Sequence, residues 1–230
     1  MKVRKASERG AFKIDWLDAK HTFSFGSYFD PAHMGFESLR VINNDIIAPS
    51  GGFPTHSHSN MEIITFVLSG ELEHKDTLGN QEIIKPGEIQ LMSAGSGISH
   101  SEFNPSSVKE TELYQIWIET NKNNVEPRYD QFSYKERIEQ DSLILIGGPD
   151  DVPGVAKIYQ DVNLHLGGLS PNVMIDSPNK EAKYWLQVIQ GKVEVGGVEL
   201  GKADGASFEK GELTSLKGVE KSEFLLFEFF

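Results

Sequence analysis

Two short segments of the sequence carry residue types and spacings suited to holding a metal ion. The first is Thr55-His56-Ser57-His58-Ser59-Asn60-Met61-Glu62, and the second Gly97-Ile98-Ser99-His100-Ser101-Glu102-Phe103-Asn104. Along a β-strand, residues i and i+2 point to one face. His56 and His58 can therefore reach inward together, and so can His100 and Glu102. Three neutral imidazoles and one carboxylate make an N3O donor set. Such a set suits a first-row divalent ion and leaves one or two coordination positions for water, substrate or dioxygen. It holds one imidazole more than the two-histidine, one-carboxylate arrangement of non-haem iron oxygenases. The sequence has no cysteine, which removes thiolate ligands, disulfides, iron–sulfur clusters and a cysteine nucleophile. Closed structural zinc sites usually rely on those thiolates. A lone His-x-His is often only the polar face of a strand. The His-x-Glu pair, flanked by small residues and preceded by Pro86-Gly87, is what raises it to a candidate site.

Short strands must position these side chains. Leu39–Ile47, Glu62–Leu68, Gly70–His74, Glu82–Ile84, Ile89–Met92 and Leu113–Glu119 carry β-branched or aromatic residues. Turns are marked by Gly79-Asn80, Pro86-Gly87 and the run Ser93 to Gly97. Roughly 40 residues between the two metal segments suit a few antiparallel strands that bring them side by side. The fold class read from this is all-β, built of sandwiches or barrels. Helical periodicity is weak, with one short helix expected over Tyr134–Gln140.

The Gly-, Pro- and Asp-rich stretch Gly147–Gly154 is the expected domain connection. Strand signals resume at Trp185–Ile189, Lys192–Val195, Leu213–Leu216 and Phe224–Phe229. The reading is an N-terminal metal-binding domain over 1–135, a connecting segment over 136–154 and a C-terminal domain over 155–230. The halves resemble each other: the pattern from Val67 to Glu73 matches that from Val188 to Glu194. The offset of that match, 121, sets Ser177 and Asn179 opposite His56 and His58, and setting Gly205 against Gly87, an offset of 118, places Gly218 and Glu220 opposite His100 and Glu102.

The formal net charge of -12 repels phosphate backbones and anionic lipid, so nucleic-acid and membrane-surface partners are not expected. No run of about 18 apolar residues exists. The N-terminal MKVRKASERG lacks the apolar stretch of a signal peptide, and a cytoplasmic location is the default expectation.

At the residues quoted first, the sequence resembles the cupin superfamily and, more narrowly, the pirin family. The first cupin motif is met by His56-x-His58-x-x-x-Glu62 with Gly70 closing it, and the second by Pro86, Gly87, His100 and Asn104. Trp16–Pro31, Leu39–Asn43, His56–Leu68 and the run from Met92 to Trp117 resemble pirins closely, so the likeness covers most of residues 1–130. It implies a bicupin, two β-barrels in one chain, with the metal held by His56, His58, His100 and Glu102 and the C-terminal barrel metal-free. In pirins the ligand carboxylate is that of His-x-Glu. On this basis Glu62 is implied to be a pocket residue, hydrogen-bonded to a ligand imidazole.

Close bacterial relatives of this type are similar to quercetin 2,3-dioxygenases. The implied activity is metal-dependent opening of a flavonol heterocycle by dioxygen, with release of carbon monoxide. The implied cofactor is one divalent transition ion, iron first, with nickel, manganese, cobalt, copper or zinc admissible on the same donors. Substrates would be a flavonol or another enolisable small molecule, and O2. Glu102 is the first candidate base for the flavonol 3-hydroxyl, and Glu62 the second. Phe53, Met61 and Ile98 are candidate apolar walls, although barrel-core packing explains them equally well. His21, His33, His74 and His165 read as surface or hydrogen-bonded residues, with His21 the first to check for proximity to the metal. Glu71, Glu73 and Asp76 read as a solvated strand face. The rival reading is a metal-containing regulatory module acting through a protein partner, and fold membership alone does not choose between the two.

Overall fold

A computed structural model describes all residues, 1–230. The chain forms β1 (Lys2–Arg4), β2 (Gly10–Ile14), β3 (Leu17–His21), β4 (Leu39–Ile47), β5 (Gly52–His58), β6 (Met61–Ser69), β7 (Leu72–Asp76), β8 (Gln81–Ile84), β9 (Glu88–Ser93), β10 (Ile98–Phe103), β11 (Thr111–Glu119) and β12 (Arg128–Ser133). It continues through β13 (Ser142–Gly148), β14 (Ala156–Lys157), β15 (Val162–Leu169), β16 (Met174–Asp176), β17 (Lys183–Gln190), β18 (Lys192–Val195), β19 (Val198–Gly201), β20 (Gly205–Phe208), β21 (Ser215–Gly218) and β22 (Ser222–Phe229). The all-β class holds. The helix expected over Tyr134–Gln140 does not form; only the 3-10 turn Lys135–Arg137 appears there. Asp141, at φ 63°, turns the chain into β13 before a second helical turn can follow.

The residues group into two compact units. One comprises Gly10–Lys135 with Asp150–Gln160, and the other Met1–Arg9 with Glu136–Pro149 and Asp161–Phe230. The division is thus not a single cut: β1 joins the C-terminal unit because its backbone completes the β20 ladder.

In the N-terminal unit a large antiparallel sheet runs in the order β12-β9-β6-β11-β4-β3-β2, and a small one in the order β5-β10-β7-β8. Central strands such as β6 (MEIITFVLS) are buried on both faces, which is why they read as near-continuous apolar runs rather than as clean alternation. Ile63, Met92, Ala94 and Ile98 form one apolar cluster, and Leu17, Ala19, Ile47, Val67, Leu72, Ile84 and Leu113 another. On the outer face of β6, Phe66 stacks on Tyr134 with ring centroids 5.5 Å apart.

The C-terminal unit repeats this plan. Its large sheet contains the order β1-β20-β17-β22-β15-β13, and its small sheet β16-β21-β18-β19. Strand by strand this reproduces β12-β9-β6-β11-β4-β3 and β5-β10-β7-β8, so the faint sequence repeat is a structural duplication. The register counted from Gly87 and Gly205 fails at Glu102. Glu194 pairs with Lys217 and Val193 with Gly218, which sets Leu216 opposite Val195. Val195 follows Gly191 as His74 follows Gly70, and His74 pairs with Glu102. Leu216, not Glu220, therefore stands in the place of Glu102, because the path from Gly205 to that position is shorter than the path from Gly87. Leu216 lies in a core with Leu186, Val188, Val193, Val195, Phe208 and Phe224, so hydrocarbon fills this barrel.

Candidate metal centre

Strand alternation and one irregularity build the centre. On β10, His100 and Glu102 are buried while Ser99 and Ser101 face outward. Along the β5–β10 ladder His56 pairs with His100, Ser57 with Ser99 and His58 with Ile98, but Phe53 pairs with Glu102. Pro54 and Thr55 thus face Ser101 alone, a β-bulge that tolerates a proline lacking its donor. Outside the sheet, the Ser57 and Ser99 hydroxyls hydrogen-bond at 2.7 Å. Inside, the donor atoms of His56, His58 and His100 lie within 4.8 Å of one another, and so do those of His74, His100 and Glu102. The expected four residues are brought together as two groups sharing His100, with His74 as an addition.

The ring tautomers suit cation binding. His56 Nδ1 lies 2.8 Å from the Pro54 carbonyl, which can only accept, so Nδ1 carries the proton and Nε2 keeps its lone pair. His58 Nε2 and His100 Nε2 are buried without hydrogen-bond partners. Burial, then the neighbouring His56 ring, pulls the His58 pKa down to about 4. Burial and the rings of His56, His74 and His58 pull His100 to about 3, against the opposing charge of Asp76. Both rings are therefore neutral near pH 7. Buried imidazole nitrogens without hydrogen-bond partners, on rings that are neutral, fit a first-row divalent ion.

Glu102 is buried. Its Oε1 accepts hydrogen bonds from Gln115 Nε2 at 2.7 Å and Thr65 Oγ at 3.4 Å. Burial pushes its pKa up, with the Gln115 bond opposing. Glu62 is not brought to this group. Alternation along β6 turns Ile63 and Thr65 toward the site and Glu62 to the opposite face. There its carboxylate accepts from Ser93 Oγ at 2.8 Å and from the Tyr159 N–H at 3.3 Å, not from a ligand imidazole. Burial raises its pKa, against Ser93, Tyr159 and Arg128.

A cavity of about 450 Å³ opens on the centre. His56, His58, His100 and Glu102 line it, together with Leu17, Phe25, Phe53, Ile63 and Trp117. Of the expected walls only Phe53 lines it; Met61 and Ile98 pack with the core around Ile63. His21 does reach the cavity and hydrogen-bonds Asn43 Oδ1 at 2.8 Å. His33 pairs with Asp30 and His165 with Glu228.

Asp76 departs from the reading of Glu71, Glu73 and Asp76 as a solvated face, while His74 is hydrogen-bonded as expected, to Asp76. Leu72, His74 and Asp76 alternate inward, and the side chains of His74 and Asp76 are fully buried. Gln115, Thr65 and Asn43 were also missed. The signal available in the sequence was a polar residue at an inward position of an otherwise apolar strand, as in Ile63-Thr65-Val67.

The sequence matches the family Pirin over residues 2–118 and the family described as Quercetinase C-terminal cupin domain over residues 145–229. Quercetin 2,3-dioxygenase of Escherichia coli (strain K12) is 43% identical over 227 residues, spanning 98% of this chain and 97% of the relative. The pirin-like protein of Caulobacter vibrioides is 37% identical over 214 residues, spanning 92% and 91%. Among solved structures, bacterial pirin YhhW from Escherichia coli in complex with nickel(II) is similar with a TM-score of 0.93 and 43% identity, covering 99% of this chain and 97% of that one.

Proposed function

Because this chain belongs to the pirin family, we propose that it is a metal-dependent dioxygenase. It opens the heterocycle of a flavonol such as quercetin and uses His56, His58, His100 and Glu102 to hold one divalent transition ion. The observation that carries this reading is the joining of a cavity walled by flat apolar side chains to buried imidazole nitrogens without hydrogen-bond partners. The bound ion supplies Lewis acidity that favours the anionic form of an acidic hydroxyl.

The remaining work falls to the chain's own residues. Phe25, Phe53 and Trp117 present ring surfaces to a planar polyphenol and keep water from it. Glu102, a buried carboxylate lining the cavity beside the imidazoles, takes the proton of the flavonol 3-hydroxyl. Gln115 and Thr65 orient that carboxylate through Oε1. The resulting enolate reacts with dioxygen, and the ring opens with loss of carbon monoxide.

The nickel(II) in the Escherichia coli relative puts nickel beside iron as the first metals to load. The test is to load the purified protein with iron, nickel, manganese, cobalt and copper in turn and follow oxygen uptake and carbon monoxide release with quercetin. Matched uptake and release with at least one metal is the expected result. Silence with every metal overturns the reading.

A further inference from the structure

Behind His100 lies a buried pair that the reaction does not use. Asp76 stands opposite His100 in the β7–β10 ladder, and His74 opposite Glu102. His74 Nε2 is 3.1 Å from Asp76 Oδ2, and His74 Nδ1 is 3.4 Å from His100 Nδ1. Asp76 is itself held in the β7–β8 turn: its Oδ1 accepts from the N–H groups of Leu78 and Asn80, and its Oδ2 from the Asn80 side-chain amide at 2.9 Å.

We propose that Asp76 and His74 are positioning residues that fix the ring tautomer of His100, leaving His100 Nε2 as a bare lone pair for the metal. With His74 neutral, the order of protons follows from donor and acceptor inventories. A carboxylate only accepts, so the proton of neutral His74 sits on Nε2. Its Nδ1 is then an acceptor, and the contact with His100 is a hydrogen bond only if His100 Nδ1 carries the proton. In a neutral ring that leaves Nε2 unprotonated, which is the buried nitrogen without a partner. Ligand histidines commonly donate their second ring N–H to a carboxylate or carbonyl. Here an imidazole stands between ligand and carboxylate, so the carboxylate acts at one remove. His56 reaches the same tautomer locally, through the Pro54 carbonyl.

This inference rests on the metal centre proposed above and not on the flavonol reaction. Long-range proton–nitrogen NMR of the metal-free wild-type protein reads the tautomers directly, with the proton expected on Nδ1 of His100 and on Nε2 of His74. Nickel(II) affinity is then measured by chelator competition for wild type, His74→Gln and His74→Phe. The Gln amide can accept from His100 and donate to Asp76, so its affinity stays within a few-fold of wild type, whereas Phe loses about ten- to a hundredfold. A His100 proton found on Nε2 overturns the proposal. So do equal losses in the two variants, which would make His74 a ligand with His100 and Glu102, and so does no loss in either. Failure of the wild-type protein to bind nickel(II) counts against the centre itself, and the NMR result stands apart from it.

Discussion

Two carboxylates were legible as candidate bases, and their surroundings now separate them. Glu102 shares the cavity with the imidazoles, while Glu62 faces Ser93 and Tyr159. Glu102→Gln is expected to lower oxygen uptake by about 10²–10⁴-fold in molecules that retain metal. Glu62→Gln should leave turnover within a few-fold. Oxygen-electrode traces on metal-loaded variants check both, and unchanged uptake in metal-loaded Glu102→Gln removes Glu102 from the role of base. The imidazoles make a separate prediction about pH. His58 and His100 titrate at about 4 and about 3 in the folded chain, against about 6.5 when unfolded. The unfolded state therefore binds more protons, and their contribution to stability is lost as pH falls from about 6.5 toward those values. Glu102 and Glu62, pushed up by burial, work in the opposite direction. The measurable quantity is hence a difference: denaturant melts of metal-free His100→Gln should depend less steeply on pH between about 7 and 5 than those of wild type.

Neighbouring strands turn isolated polar residues into a band. His21 pairs with Asn43, Asn43 with Gln115, Gln115 with Thr65 and Thr65 with Gln90, one residue from each of five adjacent strands. All are buried, and the band includes the donors that hold Glu102. The register that joins them was not visible in the sequence, because register between strands is set by loops and bulges that residue spacing does not encode. The His-x-His and His-x-Glu pairs were legible for the opposite reason, since i to i+2 spacing acts within one strand. Asp76 was misread because the run from Glu71 to Asp76 mixes residues of both faces. The bulge in β5 yields a prediction of its own. A Cβ on Gly52 would meet the Glu102 carbonyl oxygen at 2.3 Å and the Phe103 ring at 2.5 Å. Gly52→Ala should force β5 away from β10, cost about 1–3 kcal/mol of stability and weaken metal binding by separating His56 from His100. Denaturant melts with chelator competition would detect both effects, and unchanged affinity would show that the ladder absorbs the strain elsewhere.

The molecule carries one plan twice, with different fillings. In the C-terminal copy Leu216 stands where Glu102 stands in the N-terminal copy, and its core is hydrocarbon. One equivalent of metal per chain is expected on elemental analysis of the loaded protein, and His100→Ala should abolish it. Leu216→Ala should cost about 2–5 kcal/mol while leaving that stoichiometry at one. Two barrels of like topology and unlike interiors need not melt together. The copy holding imidazoles and a carboxylate sacrifices apolar packing that the other keeps, and only a state that binds the ion is stabilised by it. Scanning calorimetry of the metal-free chain should therefore resolve two endotherms, the cooler one moving upward with nickel(II) and the hotter one standing still.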